Sequence, residues 1–222
     1  MTGSGKTLIY LLPILQKLSL DPHGIFAVVF APSRELAAHI SQQFQFYGAK
    51  MNIRVSLITG GTNYVSQTVD IDSIPHVIVA TPGRFYEILQ NNDVVKKYIK
   101  NLKFLVFDEF DKLLDDSLYF FIEKILGQLP QKRQTILTTA TFEDSLFSLD
   151  TLQTKLSVDA STIKVFNLNK QIKVVETLSH YYLFLPHIRR DYYFIHVLLK
   201  EYEAAVGNEF DRSIIVFFNR CR

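Results

Sequence analysis

Thr2-Gly3-Ser4-Gly5-Lys6-Thr7 opens the chain and runs directly into an apolar stretch, residues 8–15. Gly-x-Gly-Lys-Thr before an apolar run reads as a phosphate-binding loop that opens a helix, expected from about residue 6 to 18. Gly3 and Gly5 let backbone N–H groups approach a polyphosphate, because no Cβ stands in the way. The helix dipole points its positive end at the same anion. Lys6 then reaches the β- and γ-phosphates, and the Thr7 hydroxyl ligates Mg²⁺. A Gly/Ser-rich tail ending in Lys-Thr would look the same in isolation, so the rest of the chain has to decide. Such a loop hangs from the C-terminal end of a buried strand. Only Met1 precedes it here, so that strand is expected to be missing.

Working outward, short apolar runs recur, each ending in a polar or Gly/Pro cluster. Residues 26–30 run into Ala31-Pro32-Ser33-Arg34-Glu35-Leu36, and residues 55–58 into Thr59-Gly60-Gly61. Residues 77–80 run into Thr81-Pro82-Gly83-Arg84, residues 104–107 into Asp108-Glu109-Phe110-Asp111, and residues 135–137 into Thr138-Thr139-Ala140-Thr141. Runs this short and rich in Val, Ile and Phe predict buried strands. Amphipathic stretches at 35–48, 85–91, 112–129 and 143–149 predict the helices between them, with Ser33 as an N-cap. The class is therefore α/β with a parallel sheet. Ligands bind outside the carboxyl ends of such strands, and every cluster named lies at a carboxyl end.

After residue 149 the pattern weakens. Residues 1–150 read as one domain and 151–178 as a connector. Residues 179–222 read as the start of a second α/β domain: a strand at 179–185, a helix at 189–205, a turn near Gly207-Asn208 and a strand at 213–218. One such unit is too small to bury a complete core.

Composition sets limits. The chain has 222 residues, 48% of them hydrophobic, and a net charge of only +2. Nucleic-acid binding would therefore depend on local placement of charge rather than on a basic surplus. The one cysteine, Cys221, excludes an intramolecular disulfide and fits a reducing compartment. Six scattered histidines and a lone cysteine give no zinc-ligand spacing. The apolar run at 8–15 is too short to span a bilayer, so no membrane association is expected.

Phosphoryl chemistry needs one carboxylate in the Mg²⁺ shell and another group to orient the attacking water. Asp108, at a strand end, suits the metal and Glu109 the water, while Asp111 would anchor a neighbouring element. Acidic residues also open helices for purely local reasons. The clusters Pro32-Ser33-Arg34-Glu35 and Thr81-Pro82-Gly83-Arg84 each join a helix start, hydroxyls and an arginine. They can hold the phosphates of a single strand without reading bases, and Gly60-Gly61 would let that strand approach closely. Loop punctuation alone would also place Pro and Gly there.

Taken together, this ordered set resembles the DEAD-box family of ATP-dependent RNA helicases. TGSGKT (2–7) resembles its nucleotide loop. APSREL (31–36), TGG (59–61) and TPGR (81–84) resemble its RNA-contacting motifs, and FDEFD (107–111) its acidic box. TAT (139–141) stands where the family has Ser-Ala-Thr, which couples hydrolysis to strand separation; this puts Thr139 and Thr141 with Asp111 in a coupling set. IIVFFN (214–219) resembles the opening of a second-domain motif.

The resemblance implies a RecA-like fold, ATP and Mg²⁺ as cofactors, sequence-independent RNA backbone contacts, and a monomer. Within the family, the Thr form of the coupling motif and the HYYLFLP…RRDYYFIHVLL segment resemble helicases of small-subunit ribosome biogenesis. That branch implies pre-ribosomal protein partners and a nuclear or nucleolar location.

Two residues depart from the family pattern: Phe110 stands where the acidic box has alanine, so local packing is expected to differ, and Thr139 replaces serine. The family's upstream adenine-recognising segment and the later second-domain arginines have no counterpart. An arginine finger supplies roughly 10³–10⁵ in rate, so this chain alone is expected to hydrolyse ATP poorly or not at all. A non-catalytic fragment that binds helicase partners, or a DNA-directed ATPase on the same scaffold, are the alternatives.

Overall fold

The structure, a computed structural model, describes residues 5–139, 155–156, 163–166, 179, 181–205 and 214–216. Thr2, Gly3, Ser4 and Thr141 lie outside the described residues, as do the helix expected at 143–149 and the turn near Gly207-Asn208.

The five apolar runs form strands: β1 (Ala27–Phe30), β2 (Val55–Ile58), β3 (Val77–Ala80), β4 (Phe104–Phe107) and β5 (Gln134–Leu137). They make one sheet in the order β2-β3-β1-β4-β5, with every neighbouring pair parallel. The α/β parallel sheet expected from the sequence is therefore present. In register, Phe30 lies beside both Ala80 and Phe107, and Leu137 beside Phe107. All five carboxyl ends consequently open onto one rim.

Alternate residues of a strand face opposite sides, and this divides the core in two. Ala27, Val29, Val77, Val79 and Val106 face α1 (Lys6–Leu20) and α2 (Arg34–Gly48), meeting Tyr10, Ile14, Ile40 and Phe44. Val28, Phe30, Ile78, Leu105 and Phe107 face the other side. There they meet Phe85 and Ile88 of α4 (Pro82–Asn91), Val95 of α5 (Asp93–Tyr98) and Ile122 of α7 (Asp116–Leu126). All of these side chains are buried, and each Val, Leu, Ile and Phe among them contributes about 1.5–3 kcal/mol of transfer free energy.

The helices differ from expectation in four places. The single helix expected at 112–129 is two, α6 (Phe110–Leu113) and α7. Asp115 separates them, because its carboxylate caps α7 by accepting from the Ser117 N–H at 3.1 Å. The helix expected at 85–91 starts earlier, at Pro82, a residue suited to the first helical position. Two further helices, α3 (Tyr64–Asp72) and α5, were not expected. Helix α3 buries only Gln67 and Ile71 and turns Val65 and Val69 outward, so its apolar pattern is ambiguous.

Contacts divide the chain into Met1–Val165 and Phe166–Arg222. Leu156 is buried and Ile163 packs on the core, so these residues of the 151–178 stretch belong with the first unit. In the second unit, α8 (Arg190–Ala205) is the helix expected at 189–205. Residues 181–186 and 214–216 carry no strand, which corrects the expectation there. β-forming residues become a strand only when another backbone supplies the ladder, and neither stretch is in one.

Candidate functional site

α1 begins at Lys6, and Gly5 precedes it in the left-handed region with φ 77°. No side chain caps this helix start. A Cβ built on Gly5 would meet no atom within 4 Å. The backbone turn and the open space above it fit a phosphate, and the dipole of a fifteen-residue helix favours one.

One turn on, Tyr10 is wholly buried, and its hydroxyl donates to Oδ2 of Asp108 at 2.9 Å. Thr7 lies three residues earlier on the same helix face. Burial first, then the adjacent Asp108 charge, pushes the Tyr10 phenol far above its ordinary value. The Tyr10 hydroxyl thus ties α1, the helix that begins at the loop, to the end of β4.

Asp108 itself is only 4% exposed. Its backbone N–H donates to the Phe30 carbonyl at 2.9 Å, which extends the β1–β4 ladder by one rung. Oδ1 accepts from the Glu109 N–H at 3.0 Å and from the Thr138 hydroxyl. A carboxylate offers about four lone-pair sites; three are used here among the described residues, and the remaining one is on Oδ2. A carboxylate with a lone pair left over is the kind of oxygen that a hard cation takes, as is a hydroxyl such as that of Thr7.

Glu109 has φ 52° and ψ 55°, a conformation that costs a non-glycine residue about 1–2 kcal/mol. Its carboxylate is 31% exposed on the rim and pairs with Lys112 at 2.8 Å. That hydrogen bond raises the Lys112 amine above its usual value. Asp111 accepts from the Thr139 hydroxyl at 2.9 Å, tying α6 to the end of β5. Phe110, between the two acids, is fully buried, with its ring centroid 5.7 Å from that of Phe107.

The other three rim clusters are ordered by side chains. Ser33 caps α2 by accepting from the Leu36 N–H at 3.2 Å, and Ser33, Arg34 and Glu35 are exposed while Pro32 is half-buried. Gly61 has φ 80°, and a Cβ there would stand 2.0 Å from Nη1 of Arg34; at Gly60 the nearest Arg34 nitrogen is 3.5 Å away. The close approach these glycines permit is therefore to the Arg34 guanidinium. Arg84 pairs with Glu87 at 3.2 Å and lies over the Tyr64 ring at 5.5 Å. Its Nη1 is buried with no hydrogen-bond partner among the described residues. Pro82 is buried as the first residue of α4, which withdraws it from any contact surface and leaves Thr81, Gly83 and Arg84 half-exposed.

Tyr10 and Gln67 were missed by sequence reasoning. Gln67 is 4% exposed. Its Oε1 accepts from the Thr59 N–H at 3.1 Å, and its Nε2 donates to the Thr59 carbonyl at 3.0 Å and to the Thr62 hydroxyl. It clamps the Gly60-Gly61 loop from beneath. The only available signal was one polar group inside each apolar pattern. Two cavities of about 240 and 280 Å³ are lined by residues such as Gln131 and Arg133 before β5, and Leu18 and His76 before β3. Both lie toward the amino ends of the strands, away from this rim.

The sequence model of the DEAD/DEAH box helicase family matches residues 1–149. This chain belongs to that family. It is 41% identical over 222 residues to a Dictyostelium discoideum protein described as "Probable ATP-dependent RNA helicase ddx49", covering 99% of this chain and 41% of that protein. It is 40% identical over 221 residues to an Aspergillus niger protein described as "ATP-dependent rRNA helicase rrp3", covering 99% of this chain and 44% of that one. The chain thus spans well under half the length of these relatives. Among solved structures, Mss116p bound to single-stranded RNA and AMP-PNP matches with a TM-score of 0.61 and 29% identity, over 70% of this chain and 33% of that one. The rim described above carries Asp108, Glu109 and Asp111 after β4 and Thr138 and Thr139 after β5.

Proposed function

We propose that the chain binds ATP–Mg²⁺ at the Gly3–Thr7 loop and single-stranded RNA along the neighbouring rim. The whole protein would then be an ATP-dependent RNA helicase. The hydrogen bond from Tyr10 of α1 to Asp108 at the end of β4, at 2.9 Å, carries the reading. It supports taking the loop and the acidic box as one site rather than two.

In this reading Thr2, Gly3, Ser4 and Gly5 wrap the phosphates and Lys6 neutralises them. Thr7 and Asp108 hold the metal side, and Glu109 orients water. Bound Mg²⁺ would neutralise charge on the phosphates. Thr139 and Thr141, with Asp111, would transmit the state of the site along β5. For RNA, the residues are Ser33, Arg34 and Glu35, the Gly60-Gly61 loop that Arg34 packs against, and Thr81, Gly83 and Arg84. The unsatisfied Arg84 Nη1 is a donor suited to a phosphate oxygen. The rRNA helicase named among the relatives supports a role in rRNA processing, with pre-ribosomal protein partners and a nucleolar location.

The test is titration of the chain with mant-ATP, with and without Mg²⁺, and with single-stranded RNA and DNA oligonucleotides of one sequence. Saturable Mg²⁺-dependent nucleotide binding, lost in Lys6→Ala, together with a preference for RNA, is expected. Equal binding of DNA would favour a DNA-directed ATPase. Absence of nucleotide binding would leave a fragment that acts only through partners.

A further inference from the structure

Tyr10 lies inside an otherwise aliphatic helix face, where a ring alone would fill the space, yet its hydroxyl has a buried charged partner. It donates to Oδ2 of Asp108 at 2.9 Å. Tyr10 occupies one lone pair of Oδ2, while Thr138 and the Glu109 N–H occupy Oδ1. The one remaining Asp108 lone pair is therefore on the oxygen that Tyr10 holds.

We infer that Tyr10 is a positioning residue for the metal side of this site, orienting the Asp108 carboxylate. This rests on the nucleotide-site reading above. Tyr10 acts by fixing that carboxylate before the cation arrives, so that it need not reorganise. Tyr10 is on α1 and Asp108 at the end of β4, so one side chain ties the helix that begins at the loop to the acidic cluster.

The experiment compares the 222-residue chain with its Tyr10→Phe variant, which removes one oxygen and keeps the ring. Mant-ATP affinity is measured in excess Mg²⁺ and in EDTA, below the transition temperature found by melting each protein. The Mg²⁺-dependent gain in affinity should fall roughly ten- to a hundredfold, the scale of a hydrogen bond to a charged group, while affinity in EDTA stays unchanged. An unchanged Mg²⁺ gain would overturn the inference. A larger gain would also overturn it, because the phenol would then be competing with the cation. Equal losses with and without Mg²⁺ would reduce Tyr10 to a structural role and overturn it as well. A wild-type chain that binds no mant-ATP would remove the nucleotide site itself; a wild-type chain that binds, with the variant behaving alike, removes only the role of the phenol.

Discussion

Replacing Phe110 with alanine puts the family's usual residue back into the acidic box, and we expect it to destabilise this protein. Phe110 is fully buried. Its ring packs on Phe107, which in turn stacks on Phe30 with centroids 5.6 Å apart, and the same core includes Leu113 and Ile122. Truncating a core phenylalanine costs about 3–5 kcal/mol through lost transfer energy and the cavity left behind. Alanine's better helix propensity returns only about half a kcal/mol. At about 2–4 °C per kcal/mol for a chain of this size, the melting temperature should fall by roughly 5–20 °C. The assay is thermal melting of both proteins followed by circular dichroism. The backbone of the acidic box is held independently of the ring, through Asp108 N–H to Phe30 and Phe110 N–H to Thr138, each at 2.9 Å. Mant-ATP affinity well below the transition should therefore be unchanged. A shift below about 2 °C, or a more stable variant, would refute the packing argument. A large loss of nucleotide affinity with little change in melting would refute the separation of ring from site.

Gln67→Leu should destabilise the chain by about 1–3 kcal/mol, because it leaves the buried Thr59 N–H without an acceptor. It should also weaken RNA oligonucleotide binding by loosening the Gly60-Gly61 loop, and anisotropy titration reads this; a variant as stable as the parent would contradict the clamp. His76 is held below its ordinary value by burial first, then by Arg54 and His23. Because its folded value is depressed, the unfolded chain takes the proton first. This contribution to stability is complete above about pH 6.5 and is lost as pH falls through that value toward the folded one. His76→Asn keeps an acceptor for the Arg54 N–H, now at 3.0 Å from Nδ1, but does not titrate. Its melting temperature should drop less than the parent's between about pH 7.5 and about pH 5.5; parallel curves would exclude His76 as the titrating group.

Much of the architecture was legible in the sequence, for a physical reason. A strand buried on both faces needs a continuous apolar run, and a parallel sheet brings all its strand ends to one rim. Each run at β1 to β5 therefore announced both its strand and the cluster beside it, with bounds within one residue of those observed. Helix caps were legible where the capping group is local, as at Ser33. Helix α3 was not legible, because two buried residues and two exposed valines in one helix carry no clear period. Likewise, nothing local distinguishes Tyr10 from a core aromatic, or Gln67 from a surface glutamine.

Those roles were decided by the tertiary structure. The Tyr10 partner is 98 residues away, and Gly61 needs its missing Cβ for Arg34, a side chain from the end of another strand. The sequence by itself determined which residues would gather at the carboxyl ends, because hydrophobic periodicity and chain direction set that. Only the folded sheet determined which of them touch, because a hydrogen bond of about 3 Å depends on strand order and register, and neither is written in the spacing along the chain.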